Sequence, residues 1–225
     1  MGNHVMINLT VIQEALPYLW HGTVVTIKIA YFSCILGIVT GTILALMQTS
    51  KIAILEWPVK IYVAIVRGTP MIIQIFFMYF VTINILFPEM PAIYAAILAI
   101  GMNSSAYVSQ IIRAGIKSVS SGQLEAAQVL GLNRYQTVRY IILPQAMQVA
   151  MPALGNEFAT LIKDSSLASF IGVSELLKEG RNIIAITYDQ MSVYIAVGLI
   201  YLILTSIASI FVNFTERRMS YHVKD

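Results

Sequence analysis

Glu157 and Asp164 stand seven residues apart in a stretch that is otherwise apolar, and Arg67, Thr69, Asn103 and Ser104 interrupt two other apolar stretches. An ionisable side chain at the centre of a bilayer costs roughly 2.5 to 3.5 kcal/mol even on the gentler insertion scales, so such groups face protein or a wet cavity. The chemistry on offer is binding: two carboxylates accept hydrogen bonds, a guanidinium donates them, and the threonine, asparagine and serine do both. Bond-making chemistry is harder to build. No nucleophile and base stand at recognisable spacing, and His4, His21 and His222 are scattered without partners at metal-ligand spacing. The single cysteine, Cys34, lies in an apolar run, which excludes a disulfide framework. The chain also has no GxxxxGK[ST] phosphate loop, and too little of it is polar to hold a nucleotide-binding domain.

The elements that must position these residues are membrane helices. The 225 residues are 58% hydrophobic and 11% charged, with a mean hydropathy of +0.77, whereas soluble domains carry roughly 25% charged residues. With a span of roughly 20 residues as the template, five crossings are expected, at about Val24–Met47, Val59–Leu86, Ala92–Ile116, Gln145–Phe170 and Met191–Asn213. The fold class is therefore all-α, a polytopic transmembrane bundle. Residues 1–22 mix apolar and polar types with Pro17 and Trp20, and are expected to form an external, interfacial segment or a frayed end. A transmembrane domain then fills 23–217, and 218–225 form a short tail.

Positive loops stay in the cytoplasm. With the N-terminus outside, the cytoplasmic side receives Lys51, Lys60, Arg113, Lys117, Arg134, Arg139, Arg217, Arg218 and Lys224, and the outside only Lys178 and Arg181. Lys28, Arg67 and Lys163 fall within spans; Lys28 is shallow enough to snorkel.

Depth then groups the polar residues. Arg67-Gly68-Thr69-Pro70 comes about ten to thirteen residues after Trp57, roughly 15 to 20 Å into its span. Gly101 and Asn103-Ser104 lie at a similar depth in the third span, and Pro152, Gly155, Asn156 and Glu157 in the fourth. Three interruptions at one level are expected, because freed backbone groups are tolerated only where they face protein or a cavity. If the fourth helix resumes after Gly155, Glu157 and Asp164 share a face, about 10 Å apart along the axis. Gly37-x3-Gly41 in the first span is a close-approach pattern.

The longest cytoplasmic loop, 118–144, has its own helical grammar. Ser120 with Gln123 makes a capping-box pattern, Leu124–Leu130 reads as a short helix, and Gly131 can end it in the left-handed conformation. Asn133 with Gln136 caps a second helix that runs toward Pro144, and Leu124, Ala127 and Leu130 can form an apolar ridge. A helix–turn–helix of this kind can also read DNA, but here both ends are tied to membrane spans and few base-reading side chains are present. Nucleic acid is not an expected partner.

Glu125-Ala126-Ala127-x3-Gly131-x9-Ile141-x-Leu143-Pro144 resembles the EAA loop of ATP-binding-cassette importer permeases. Arg67-Gly68-Thr69-Pro70, Asn103-Ser104-Ser105-Ala106-Tyr107, Gly155-Asn156-Glu157-Phe158 and Lys163-Asp164-Ser165-Ser166-Leu167 narrow the resemblance to the polar amino-acid uptake branch, the histidine-, arginine- and glutamine-type permeases. The likeness runs from about His21 to Arg218. It implies the type I importer architecture in the bacterial cytoplasmic membrane, with Glu125, Ala126, Ala127, Gly131 and Pro144 in the coupling loop. It also implies a cytoplasmic ATPase dimer that holds ATP and magnesium, an extracytoplasmic substrate-binding protein, and a second permease subunit that is either another copy or a close paralogue. This chain itself is expected to bind no cofactor and to catalyse nothing.

On that footing the cargo is an amino acid. Arg67, Gly68, Thr69, Asn103, Ser104, Glu157 and Asp164 are the expected site, and two acids exceed what one ammonium requires, which favours arginine, lysine or histidine. Other readings stay open. Asp164 pairs with Lys163 or Arg67, Arg67 bonds the freed carbonyls of its own broken span, or the acids are common to glutamine-type permeases. Outside the class, the alternative is an ion-coupled carrier or channel. The outer loop Gly172–Asp189, with Glu175, Lys178, Glu179 and Arg181, reads as a mixed-charge surface.

Overall fold

The computed structural model describes residues 7–50 and 52–221, and only the helical backbone of 213 and 215–221. Lys51, Lys224, His4, His222 and the side chains of Arg217 and Arg218 lie outside the described residues, as do residues 222–225 of the 218–225 tail.

The chain is helical throughout. Helix α1 runs unbroken from Leu9 to Thr49. The expected interfacial N-terminal segment is therefore, from Leu9 onward, the first part of that helix. Asn8 starts it by accepting hydrogen bonds from the Thr10 and Val11 amides, and its own amide donates to Ser192 Oγ at 2.8 Å. Leu19 and Ala15 pack with Leu176, Val193 and Val197, so this end is sealed to the rest of the bundle. Pro17 is accommodated within the helix.

Helices α2 (Ala53–Gly68) and α3 (Met71–Phe76) meet at Thr69–Pro70. A π-helical stretch, Phe77–Ile83, and α4 (Asn84–Leu86) complete that arm. The two halves, Ala53–Gly68 and Met71–Leu86, are bent by 109°. Then come α5 (Ala92–Lys117), α6 (Ser121–Val129) and α7 (Arg134–Gln136), a second π-helical stretch (Thr137–Ile142), and α8 (Leu143–Asp164). A 3₁₀ turn, Ser165–Ile171, leads to α9 (Leu176–Thr187) and α10 (Gln190–Tyr221). Asp189 accepts the Ser192 amide at the start of α10, and the Ser192 hydroxyl first, with that amide, holds its carboxyl below the usual carboxylate range.

Among the described residues three helices, Leu9–Thr49, Ala92–Lys117 and Gln190–Val212, are long and apolar enough to cross a membrane, and the bent pair taken as one span makes a fourth. The expected crossing Val59–Leu86 is thus a broken one. Helix α8 is long enough at 22 residues, about 33 Å, but its glutamines, asparagine and charges keep it out of that set. It packs inside the bundle, against α5, α10 and α1.

Of the three expected interruptions, only Gly68–Pro70 breaks a helix. Helix α5 continues through Gly101 and Asn103, and α8 through Pro152 and Gly155. The reason is packing. A Cβ on Gly101 would stand 2.6 Å from Leu36 Cδ2, and one on Gly155 would run into Val212. Gly37 does the same work in α1, where a Cβ would meet Ser104 Oγ at 2.7 Å. These glycines let helices approach closely, and the core of Ile29, Ala30, Ala96, Ile100 and Leu161 closes around that contact.

Candidate functional site

The break in the second span is organised by a residue that the sequence reading passed over. Gln74, one turn into α3, donates from Nε2 to the Val66 carbonyl at 2.7 Å, to Thr69 Oγ1 at 2.9 Å and to the Thr69 carbonyl at 3.2 Å. Thr69 Oγ1 donates in turn to the Ile65 carbonyl. On its other side Gln74 Oε1 accepts from Asn103 Nδ2 at 3.0 Å, which ties the broken span to α5. Ile65, Thr69, Gln74 and Met102 help line a crevice of about 330 Å³ beside this knot. A polar side chain four residues after a proline, inside an apolar helix, was the available signal.

One residue along α5, Ser104 is 1% exposed and its Oγ has no hydrogen-bond partner. Its hydroxyl lies against the Glu157 carboxyl of α8, and the small face of α1 at Gly37 covers it. Glu157 thus sits where α1, α5 and α8 meet, with Cys34 among its neighbours. Asp164 ends the same unbroken helix two turns on. Both acids are partly buried, and neither belongs to an ion pair within 4 Å among the described residues, where the two such pairs are His21–Glu179 and Lys60–Glu56.

Arg67 does not bond the freed carbonyls, which Gln74 takes, nor does it pair with Asp164. Its guanidinium lies over the Tyr107 ring, 5.0 Å from the centroid, in cation–π contact. Arg67, Gly68 and Thr69 are exposed on an open face, with nothing within 4 Å of a Cβ placed on Gly68. Of the seven expected residues, the structure links Thr69 to Asn103 through Gln74, seats Ser104 against Glu157, and stacks Arg67 on the next turn of α5. Asp164 stands apart, about 10 Å along α8.

The 118–144 loop folds as two capped pieces. Helix α6 ends in a Schellman motif: the Leu132 amide bonds the Ala127 carbonyl, the Gly131 amide bonds the Gln128 carbonyl, and Gly131 sits at φ +71°. The Asn133–Gln136 capping box forms with both bonds at 2.9 Å. The Ser120 box does not, since Ser120 makes no side-chain cap bond. The expected ridge is also shorter. Ala127 is buried and Leu124 half-buried, but Leu130 is 76% and Val129 88% exposed, with Glu125 and Ala126 on the open side. Pro144 lies in the first turn of α8, where its missing N–H disturbs little.

The outer loop differs most from expectation. Glu175 is fully buried. Its carboxylate accepts the Leu177 and Lys178 amides at 3.0 and 2.7 Å, capping α9, and takes Tyr201 Oη at 2.7 Å and Thr26 Oγ1 at 3.5 Å. Thr26 Oγ1 accepts the Leu176 amide. Glu175 therefore fastens the outer loop to α1 and α10.

Residues 35–221 match the family described as the binding-protein-dependent transport system inner membrane component. The chain is 41% identical to a probable amino-acid ABC transporter permease, YckA of Bacillus subtilis, over 93% of this chain and 92% of that one. It is 34% identical to the arginine transport system permease ArtQ of the same organism (91% and 93% covered) and 35% identical to the glutamine transport system permease GlnP of Escherichia coli K12 (92% and 95%). Among solved structures, one titled as an amino acid ABC transporter with histidines superposes with a TM-score of 0.86 at 34% identity, covering 95% of this chain and 99% of that one. The chain belongs to the binding-protein-dependent inner-membrane components, as a multi-pass permease of the polar amino-acid ABC importers in the bacterial inner membrane, whose ATPase activity resides on a partner subunit.

Proposed function

We propose that this permease carries a basic amino acid, arginine, lysine or histidine, through a midplane site made by Arg67, Gly68, Thr69, Asn103, Ser104, Glu157 and Asp164. The observation that carries the reading is the pair of partly buried acids on one helix, neither in an ion pair within 4 Å among the described residues. Carboxylates left unpaired inside a membrane protein need a positive partner, and a cationic cargo supplies one. Asn103 and Thr69 serve the polar backbone of the amino acid, and Arg67, parked on Tyr107, is the donor available to its carboxylate.

Glu125, Ala126, Ala127, Gly131 and Pro144 belong to the loop that the cytoplasmic ATPase dimer grips. ATP and magnesium stay on that dimer, and this chain holds no cofactor. The N-terminus lies outside and the C-terminus in the cytoplasm, following the distribution of lysine and arginine. A second permease subunit, a copy or a close paralogue, completes the pathway across the open face of Arg67 and Thr69. An extracytoplasmic binding protein delivers the cargo to the outer side. ATP binding shifts the population toward the outward-open state.

Reconstitution in liposomes with the ATPase, the binding protein and ATP, using labelled arginine and glutamine, tests this. Glu157→Gln and Asp164→Asn are expected to lower arginine uptake about tenfold or more. Unchanged arginine uptake in both would overturn the basic-cargo reading. Uptake by the permease alone on an ion gradient would overturn the importer mechanism.

A further inference from the structure

We infer that Gln74 sets the polarity of the cargo site by fixing the Asn103 amide with its nitrogen toward α3, so that Asn103 Oδ1 is the group offered to the amino acid. This rests on the reading that the cargo binds beside Asn103.

The argument starts from Pro70. In a continuous helix the Val66 carbonyl would accept the amide four residues on, but that residue is proline and has no N–H. A carbonyl orphaned inside a membrane span needs another donor, from protein or from a wet cavity. Gln74 restores the donor with its side chain, Nε2 to Val66 O at 2.7 Å, and the same nitrogen serves both oxygens of Thr69. Three acceptors converge on this end of the amide, so it must be the nitrogen end, and Oε1 necessarily points the other way. Only a donor can meet Oε1, which fixes the orientation of Asn103: Nδ2 faces Gln74 at 3.0 Å. Asn103 Oδ1 makes no hydrogen bond among the described residues. The missing hydrogen of one proline is thus passed through two amides and emerges as an unspent acceptor one residue from Ser104.

The consequence is selectivity for a donor. A freely turning asparagine would serve a carboxylate or an ammonium equally well, whereas one locked in this sense serves an ammonium, guanidinium or amide nitrogen. Gln74 is a positioning residue, acting through Asn103.

The test is a double-mutant cycle on direct binding of labelled arginine and labelled glutamine to the purified permease–ATPase complex in detergent, without the binding protein. Gln74→Met keeps the length of the side chain and removes its hydrogen bonds. It is expected to weaken binding about threefold to tenfold, and to have no further effect in an Asn103→Leu background. A role confined to holding the α2–α3 break would lower the thermal midpoint and give additive losses, which would overturn the inference; so would a Gln74→Met dissociation constant within about twofold of the parent. Should Gln74→Met fail to assemble, Gln74→Glu decides the matter. Its protonated carboxyl offers one donor to Val66 and one acceptor to Asn103, so binding near the parent's at acidic pH supports the inference and a loss there overturns it. The two readings fail separately. If Glu157→Gln and Asp164→Asn leave arginine binding unchanged while the glutamine cycle is non-additive, the basic-cargo reading falls and this one stands.

Discussion

Single residues here change meaning with partners far away in the chain. Glu175 reads as one charge in a mixed loop because the groups that bury it, Thr26 and Tyr201, lie 149 and 26 residues away. Glu175→Ala strands a buried tyrosine hydroxyl and two helix-terminal amides; it should cost about 2 to 4 kcal/mol, read as a lowered thermal midpoint of the detergent-purified protein. Glu175→Gln keeps the shape and half the acceptors, so the loss should be about half as large. Gln74 gave a local signal, but its role was hidden for the same reason, since that role depends on an absent hydrogen on Pro70 and on Asn103 in another helix. By contrast, the acids Glu157 and Asp164 were legible because charge inside an apolar run is a local fact. Their freedom from ion pairs was not, since it depends on where Arg67 and Lys163 point.

At the scale of elements, most features set by neighbours in sequence came through, the Ser120 box excepted. The Asn133–Gln136 box and the left-handed Gly131 need only a few adjacent residues, and both form as read. Glycines were the ambiguous letters. Gly68 borders a break while Gly101 and Gly155 serve close packing, and one sequence cannot distinguish a residue that lets the chain bend from one that lets another helix in. Gly131→Ala forces a Cβ into the left-handed region and should cost about 1 kcal/mol; hydrogen exchange at the Leu130–Leu132 amides should quicken accordingly. Asn133→Ala should cost about 1 kcal/mol of cap, with transport per ATP hydrolysed in the reconstituted complex falling before ATPase activity does. Gly37→Leu, which would drive a side chain into Ser104, should separate α1 from α5 and abolish recovery of folded protein after detergent extraction.

The whole molecule is an open assembly. One side of α10 presents Leu202, Ile203, Ile207, Ile210 and Phe211, each more than half exposed, as expected of a lipid-facing surface. The bent arm leaves Arg67 and Thr69 uncovered, and the 118–144 knob leaves Val129 and Leu130 bare. Adding the ATPase should shield the Val129–Leu130 region from exchange while leaving α10 unchanged, a comparison available by mass spectrometry on the complex and the lone permease. From the capping box at Asn133 to Asp164 the backbone never leaves helical geometry, passing through α7, the π-helical stretch and α8 without a hinge. That makes the unit a shaft roughly 45 Å long, and a shaft transmits torque as well as thrust. The bearing of Glu157 relative to the knob is then a phase angle: one residue inserted in α8 between them would turn the carboxylate by about 100°, leaving every local contact of the loop intact while the two ends run out of step.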